Sequence, residues 1–177
     1  MELFDSIVVS SSLTQIDSDL TPLSESRQKF LCFALGSQER GLLPLEQIAE
    51  VLSVSVADIL PVPEMPNCVL GIHNWRGKML WLVDLNYLLD YPPLSPPEQS
   101  EALMAMVIQI NGQSMGLVVQ YVLDIELYDP IQIQPASADL FPPRLLPFLL
   151  GYLPSANALV FDSEAIARCP LWQVHQN

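Results

Sequence analysis

Two parts of this chain repeat the same order of short apolar segments and turns, and this repetition limits the fold more than any other feature of the sequence. The first part opens with an apolar run at residues 31–35 and the second with one at 106–110. The turn after the second run is Asn111-Gly112, which favours a tight hairpin because both residues tolerate positive φ. Short strands with frequent turns predict a mainly β protein with a few short helices, either paired small β-barrels or a two-part β-sandwich.

Both parts also close alike, with an apolar strand that ends in an aspartate. The aspartates are Asp84 and Asp162, and a short segment with helical character follows each of them. A carboxylate at this position accepts hydrogen bonds from the free N–H groups in the first turn of a helix. We therefore expect two short helices, each capped by one of these aspartates.

A proline-rich segment at residues 91–100 separates the two parts. It contains two Pro-Pro pairs, which interrupt both helix and sheet, and so predicts an extended linker. On either side of it we expect the halves of a single domain, at about residues 29–90 and 101–170. Residues 1–28, rich in serine, threonine and aspartate, predict a flexible tail, and residues 171–177 predict a C-terminal tail.

The charge of the chain narrows the choice of partners. Acidic residues number 20 and basic residues 7, which gives a formal net charge of -13. Like charge repels nucleic acid and anionic membrane, so a basic protein surface is the favoured partner. The longest apolar run, 140–153, includes Arg144 and three prolines and is too short to span a bilayer. The acidic N-terminus also lacks the features of a secretion signal, so we expect a soluble cytoplasmic protein without direct membrane insertion.

The sequence lacks the sets of residues that enzymes and metal sites require. Its histidines are His73 and His175, and it contains no glycine-rich phosphate loop and no nucleophile elbow. Cys68 and His73 are the nearest pair of metal-ligand type, but two ligands do not make a zinc site. For Cys68, a buried structural role is favoured over a catalytic dyad with histidine. We expect no catalysis, no metal and no cofactor.

Six segments form an ordered series of apolar strands and turns. They lie at residues 44–52, 61–71, 74–77, 82–85, 115–119 and 122–125. The series resembles the CheW-like domain family, the coupling proteins of bacterial chemotaxis arrays, and the resemblance extends over about residues 30–168. Residues 74–77, Asn-Trp-Arg-Gly, are similar to the family's Asn-Leu-Arg-Gly hairpin.

This resemblance implies a fold of two five-stranded, SH3-like barrels joined across an apolar interface. It also implies a non-catalytic adaptor, or scaffold, that joins the regulatory domain of a CheA-type histidine kinase to the cytoplasmic tip of a methyl-accepting chemoreceptor. Trp75 stands where the family usually has leucine, and Trp81 where proline or valine is frequent. These departures favour a divergent paralogue in a two-component signal transduction pathway for pilus-driven motility or phototaxis.

The hairpin from Asn74 to Gly77 is the candidate partner-binding site, with Arg76 at its tip. On a hairpin tip, a guanidinium makes bidentate bonds to a partner's carboxylate or to backbone carbonyls. The alternative is a structural role in which Arg76 folds back onto Asp84 or Glu50. The family resemblance favours the first interpretation.

Trp75, Glu50 and Val51 are the other candidate residues. Trp75 is either an exposed aromatic anchor or the inward residue of the hairpin, and strand alternation predicts that Trp75 and Arg76 face opposite ways. Glu50 and Val51 lie in the segment through which members of the family contact receptors. Without the resemblance, the sequence pattern favours a structural interpretation, in which Glu50 is a solvated acid on an edge strand and Val51 is a core residue.

Two further hypotheses concern apolar surfaces. The apolar run at residues 140–151 is either a docking patch or, as we favour, a proline-broken core crossing that packs against the opposite barrel. The rival function for the whole chain is a small β-barrel binding protein for an apolar ligand, held in the space between the halves. Such a ligand needs convergent polar groups to orient it, and the sequence shows none clearly.

Overall fold

Ten strands and three short α-helices make up the computed structural model, which describes residues 26–95 and 101–173. The strands are β1 (Gln28–Leu35), β2 (Glu39–Pro44), β3 (Ile48–Ser55), β4 (Val69–Trp75), β5 (Lys78–Asp84), β6 (Ala102–Ile110), β7 (Gln113–Val119), β8 (Val122–Tyr128), β9 (Leu149–Leu153) and β10 (Ala158–Phe161). The helices are α1 (Leu85–Leu88), α2 (Ser163–Ala167) and α3 (Pro170–Gln173). Single turns of 3₁₀ helix lie at Leu45–Gln47, Val56–Asp58, Pro130–Gln132, Leu146–Phe148 and Pro154–Ala156. Within the described ranges, no helix has the length and apolar character needed to cross a membrane.

The strands form two five-stranded sheets, here called sheet A and sheet B. The strand order is β8-β1-β2-β10-β9 in sheet A and β3-β6-β7-β5-β4 in sheet B. Neighbouring strands are antiparallel except for β2 with β10 and β5 with β7, which are parallel. The predicted mainly β class, with two five-stranded units and a few short helices, is confirmed.

The two sheets do not correspond to the two halves of the sequence. The β1–β2 hairpin joins β8, β9 and β10 from beyond the linker, whereas the β6–β7 hairpin joins β3, β4 and β5 from before it. In each sheet one antiparallel pair and one parallel pair make the join. Strands β1 and β8, and β2 and β10, pair in sheet A, and strands β3 and β6, and β5 and β7, pair in sheet B. Each half therefore places its first hairpin among the remaining strands of the other half.

Strand β1 is buried on both faces, which explains why its sequence does not alternate between apolar and polar residues. Leu31 and Phe33 pack into a cluster between the sheets that also contains Leu117 of sheet B. Phe30 and Cys32, on the opposite face of the strand, pack into a separate cluster within sheet A. The largest cluster thus forms the contact between the two sheets, as expected for an apolar interface between barrels.

The predicted turns and helix caps are confirmed. Asn111 and Gly112 have φ angles of 52° and 79° and close the β6–β7 hairpin. Asp84 accepts a hydrogen bond from the backbone N–H of Tyr87 at 2.9 Å, and Asp162 accepts from N–H groups in the first turn of α2. Burial raises the pKa of the Asp84 carboxyl, and hydrogen bonds from backbone N–H groups oppose that rise.

The apolar run at residues 140–151 is only in part the core crossing that the sequence favoured. Leu145 is buried, but Leu140 is 68% exposed and Leu150 is exposed as well. Its three prolines interrupt regular structure, and strand β9 begins only at Leu149. The run therefore lies at the surface, with its two phenylalanines packed against the cluster between the sheets.

The predicted tails and linker lie partly outside the described residues, which omit 1–25, 96–100 and 174–177. Strand β1 begins at the last residue of the predicted N-terminal tail. Helix α3 includes the first residues of the predicted C-terminal tail, so these residues are helical.

Candidate partner-binding surface

The candidate site is built on the hairpin that joins β4 to β5. Arg76 and Gly77 form its two-residue turn, with φ angles of 51° and 76°. Positive φ at both positions is characteristic of the type I′ turn, whose twist matches that of the flanking strands. The side chain of Asn74 accepts a hydrogen bond from the backbone N–H of Gly77 at 3.0 Å, which further fixes the turn. The predicted hairpin is therefore present, with Arg76 at its tip.

Glu50 of strand β3 connects this hairpin to the other edge of sheet B. Its Oε2 accepts a hydrogen bond from Trp75 Nε1 at 2.9 Å and another from Arg76 Nη2 at 2.8 Å. Strands β3 and β4 are the first and last in the order of sheet B, so these two bonds join the edges of the curled sheet. The carboxylate of Glu50 thus binds the buried indole of Trp75 and the exposed guanidinium of Arg76, and it links the two edge strands of sheet B.

Arg76 combines the two roles that the sequence left open. It folds back onto Glu50, yet its side chain remains 68% exposed. Asp84, the other predicted partner, is buried and already accepts hydrogen bonds from the backbone N–H groups of Tyr87 and Leu94. Within the described residues, Arg76 makes one side-chain hydrogen bond, and a guanidinium carries five N–H donors. Most of its donors are therefore available to a partner.

Trp75 is the inward residue of the hairpin, and its interpretation as an exposed anchor is wrong. It is 6% exposed and packs with Leu80 and Leu82 in the cluster within sheet B. The expectation that Trp75 and Arg76 point apart is also wrong, because the Cζ of Arg76 lies 5.1 Å from the centroid of the indole ring. Arg76 belongs to the turn, where strand alternation no longer sets the direction of a side chain.

Glu50 and Val51 do not show the solvated acid and core valine expected without the family resemblance, because both are about one third exposed. Glu50 is partly buried by its contacts to the hairpin, and Val51 is 36% exposed. The edge position of β3 is as expected, since among the described strands it pairs with β6 alone. Val51 is therefore a surface residue beside the hairpin site.

Comparison with known protein families covers the strands that carry the hairpin site. The family model for the CheW-like domain matches residues 29–168, which include every strand except the first residue of β1. The chain belongs to the CheW-like domain family.

Individual relatives show how far this CheW-like protein has diverged. The chemotaxis protein CheW of Helicobacter pylori is 28% identical over 122 residues, which cover 69% of this chain and 67% of the relative. Protein FrzA of Myxococcus xanthus is 32% identical over 69 residues, which cover 39% of this chain and 41% of FrzA. The crystal structure of the scaffolding protein TtCheW from Thermoanaerobacter tengcongensis matches with a TM-score of 0.62 at 25% identity. That match covers 76% of this chain and 86% of TtCheW, which confirms the expected fold of two SH3-like units.

A second exposed surface of this CheW-like protein lies on strand β8, and the sequence analysis missed it. Leu123, Ile125 and Leu127 alternate along the strand, and each is about half exposed, at 51%, 51% and 53%. Ile125 lies opposite the buried Leu31 of β1, so the row continues the face that packs between the sheets. The alternation of these residues with Asp124 and Glu126 was visible in the sequence, but it does not show which side faces solvent.

Polar contacts on the other side of β8 fix the orientation of the strand. Glu126 accepts hydrogen bonds from the guanidinium of Arg40 and from the hydroxyl of Tyr128. Burial, and then the hydrogen bond to Glu126, raise the pKa of Tyr128 to about 12. Because Glu126 and Tyr128 are held on this side, the leucines and the isoleucine face outward.

The cysteine and histidine considered as metal ligands lie in ordinary structural environments. Cys68 is buried in the cluster between the sheets, and burial raises the pKa of its thiol. Nδ1 of His73 lies 3.4 Å from the carbonyl oxygen of Asp58. Among the residues that the structure describes, no group of three potential ligands comes together to hold a metal ion.

Proposed function

We propose that this protein is a non-catalytic adaptor that couples the regulatory domain of a CheA-type histidine kinase to the cytoplasmic tip of a chemoreceptor. Membership of the CheW-like domain family supports this function, and the relatives include chemotaxis proteins and a scaffolding protein. The observation that carries it is the cluster of Glu50, Trp75 and Arg76, which holds an exposed guanidinium in a fixed place.

We assign the hairpin cluster, together with Val51, to the kinase. The family resemblance implies that Glu50 and Val51 contact receptors, and we depart from it because the exposed row on β8 offers the receptor a separate apolar surface. The guanidinium of the hairpin cluster is held by a carboxylate and lies over an indole, so little conformational entropy is lost when a partner binds it. A partner carboxylate or a row of backbone carbonyls is the complementary group. Exposed Val51 adds an apolar contact next to the charged one.

The row of Leu123, Ile125 and Leu127 is the surface that we assign to the receptor tip. Three aliphatic side chains spaced along one strand are suited to accept the apolar stripe of an amphipathic helix, a common form of binding segment. The row continues the apolar face between the sheets, so a bound helix would extend an existing core contact. An adaptor of this design has one surface on sheet A and the other on sheet B.

Substitution of Arg76 tests the assignment of the hairpin. We expect Arg76→Ala to weaken binding to the kinase regulatory domain by about tenfold or more in calorimetric titration, since a charge-assisted hydrogen bond contributes about 1.5–3 kcal/mol. The melting curve is expected to stay nearly unchanged because the ion pair to Glu50 is exposed. Arg168→Ala is the matched control, since Arg168 is also exposed and paired to a glutamate, Glu164. If both variants bind like the wild type, the hairpin is not the kinase site.

The rival function, a binding protein for an apolar ligand, is less well supported. A cavity of about 650 Å³ does exist between sheet A and the segment after α1. Glu39 and Asp90 line it, however, and two carboxylates disfavour an uncharged apolar ligand.

A further inference from the structure

The cavity beside sheet A is formed by three segments that are far apart in the sequence. Its walls are the β1–β2 turn, residues 89–91 after helix α1 and residues 140–145 of the apolar run, together with Tyr152 and Leu159 of sheet A. A volume of about 650 Å³ is large enough for a small molecule or for two side chains of a bound protein.

Aromatic rings and carboxylates share this cavity. Tyr91, Phe141 and Tyr152 line it, and the ring centroids of Phe141 and Tyr152 lie 5.3 Å apart. Glu39 and Asp90 contribute carboxylates. Aromatic faces and carboxylates both attract organic cations, so the composition of the walls favours a cationic group.

The two carboxylates differ in how their charge is balanced. Asp90 forms an ion pair with Arg144, whose Nη1 lies 2.6 Å from Oδ1 of the aspartate. Glu39 forms no ion pair within residues 26–95 and 101–173. Its charge adds to the effect of burial in raising the pKa of the Tyr91 hydroxyl. Arg40 also lines the cavity, but its guanidinium is paired with Glu126. Among the described residues, Glu39 is therefore a carboxylate without an ion-pair partner close to an aromatic side chain.

A second cavity, of about 540 Å³, lies beside the first and shares Glu39 and Tyr91 with it. Asn86 lines this second cavity and is 5% exposed. Its Oδ1 has no hydrogen-bond partner in the part of the chain that the structure describes. A buried acceptor without a donor is rare and costly. This oxygen is itself covered, so a ligand in the cavity would reach it only after the Asn86 side chain moved.

We propose that these neighbouring cavities receive a basic side chain of a partner protein, an arginine or lysine that is followed or preceded by an apolar residue. The cation is held by Glu39 and by the ring of Tyr91, and the apolar neighbour packs against Phe141. Leu140 lines the cavity and is 68% exposed, so the apolar wall continues onto the surface where a macromolecule meets it. A second copy of this chain is a poor occupant, since each copy has a net charge of -13.

This site is separate from the hairpin and from the row on β8, and it does not depend on which kinase or receptor is bound. It is tested on the full-length ¹⁵N-labelled protein by NMR titration with two peptides, acetyl-Leu-Arg-amide and acetyl-Leu-citrulline-amide. Citrulline keeps the shape of arginine and removes its charge. We expect the arginine peptide to give saturable shifts of the amide signals of Gln38, Glu39 and Asn157, and to bind about fivefold more tightly than the citrulline peptide.

Glu39→Gln and Glu101→Gln form a matched pair of variants, because each removes one exposed carboxylate and Glu101 lines neither cavity. Glu39→Gln is expected to weaken the arginine peptide about fivefold and to leave the citrulline peptide unchanged, whereas Glu101→Gln changes neither. Equal binding of the two peptides to the wild type would overturn the proposal. So would equal loss of arginine-peptide affinity in the two variants, because net charge alone would then explain the attraction.

Discussion

At the scale of single residues, the candidate site depends on Glu50. The same carboxylate oxygen accepts from the buried indole of Trp75 and from the exposed guanidinium of Arg76. We predict that Glu50→Ala lowers the free energy of unfolding by about 1–3 kcal/mol, because it leaves a buried N–H without an acceptor. Arg76→Ala is expected to lower it by less than about 1 kcal/mol, since only an exposed ion pair is lost. Urea unfolding followed by tryptophan fluorescence measures both values.

Glu164→Ala provides the comparison for Glu50. Glu164 also pairs with an exposed arginine, Arg168, but no indole depends on it. We expect a loss below about 1 kcal/mol for this variant, similar to that for Arg76→Ala. A loss for Glu50→Ala that is no larger than the loss for Glu164→Ala would show that the indole contact does not stabilise the fold.

The same residues show what single positions in a sequence reveal. The hairpin at residues 74–77 was predictable because Arg-Gly between two strands is local turn chemistry. Asp84 and Glu50 were both possible partners of Arg76 on the sequence alone. Which of them forms the ion pair depends on how close the edge strands β3 and β4 lie in the fold, and no local sequence pattern encodes that distance. The structural interpretation put Val51 in the core for a similar reason. Alternation along a strand defines two faces, but it does not show which of them is buried against the rest of the protein.

At the scale of elements, a glycine in each half lets two backbones approach closely. Gly71 and Gly151 precede the isolated bridges Leu60–Ile72 and Gln134–Tyr152. A Cβ atom on Gly151 would overlap the carbonyl oxygen of Gln134. We therefore predict that Gly151→Ala displaces that segment and lowers the free energy of unfolding by about 2 kcal/mol or more.

Gly112→Ala separates this steric effect from the effect of backbone conformation. Gly112 has a φ of 79°, but a Cβ there would have no atom within 4 Å. The expected cost is about 1 kcal/mol, from the positive φ alone. Thermal or urea unfolding of both variants measures the difference, and a smaller loss for Gly151→Ala than for Gly112→Ala would contradict the proposed close approach.

Elements with local signals were the ones that the sequence predicted. The two aspartate-capped helices and the Asn111-Gly112 hairpin each depend on a few adjacent residues, and all three are present. Strand β9 was missed because its residues lie in an apolar run with three prolines, which suggested a buried crossing. Which residues of the run at 140–151 are exposed depends on how the run packs against segments distant in the sequence. The sequence of the run itself does not indicate this packing.

At the scale of the whole molecule, the exchange of hairpins between halves is the main feature that the sequence did not reveal. The repeated pattern indicated two similar units, and two units exist, but each combines strands from both sides of the linker. The pairing of β2 with β10 joins residues about as far apart in the sequence as any in the fold, and no periodicity encodes such a contact.

This exchange predicts that neither half folds alone. Fragments 1–95 and 96–177 each lack partners for their exposed strand edges and for one side of the cluster between the sheets. We expect each fragment to show little ordered β structure by circular dichroism, and a mixture of the two to regain the spectrum of the intact chain as a 1:1 complex. A fragment that folds by itself would contradict the exchanged topology.

The central claim is that one small protein holds two partners on separate surfaces, one on each sheet. The most direct test is analytical ultracentrifugation of the full-length protein mixed with the regulatory domain of a CheA-type kinase and the cytoplasmic fragment of a chemoreceptor from the same genome. The account predicts one species that contains all three components, in which Arg76→Ala releases the kinase domain and Ile125→Asp releases the receptor fragment. Binding of the two partners in competition, or of neither, would contradict it.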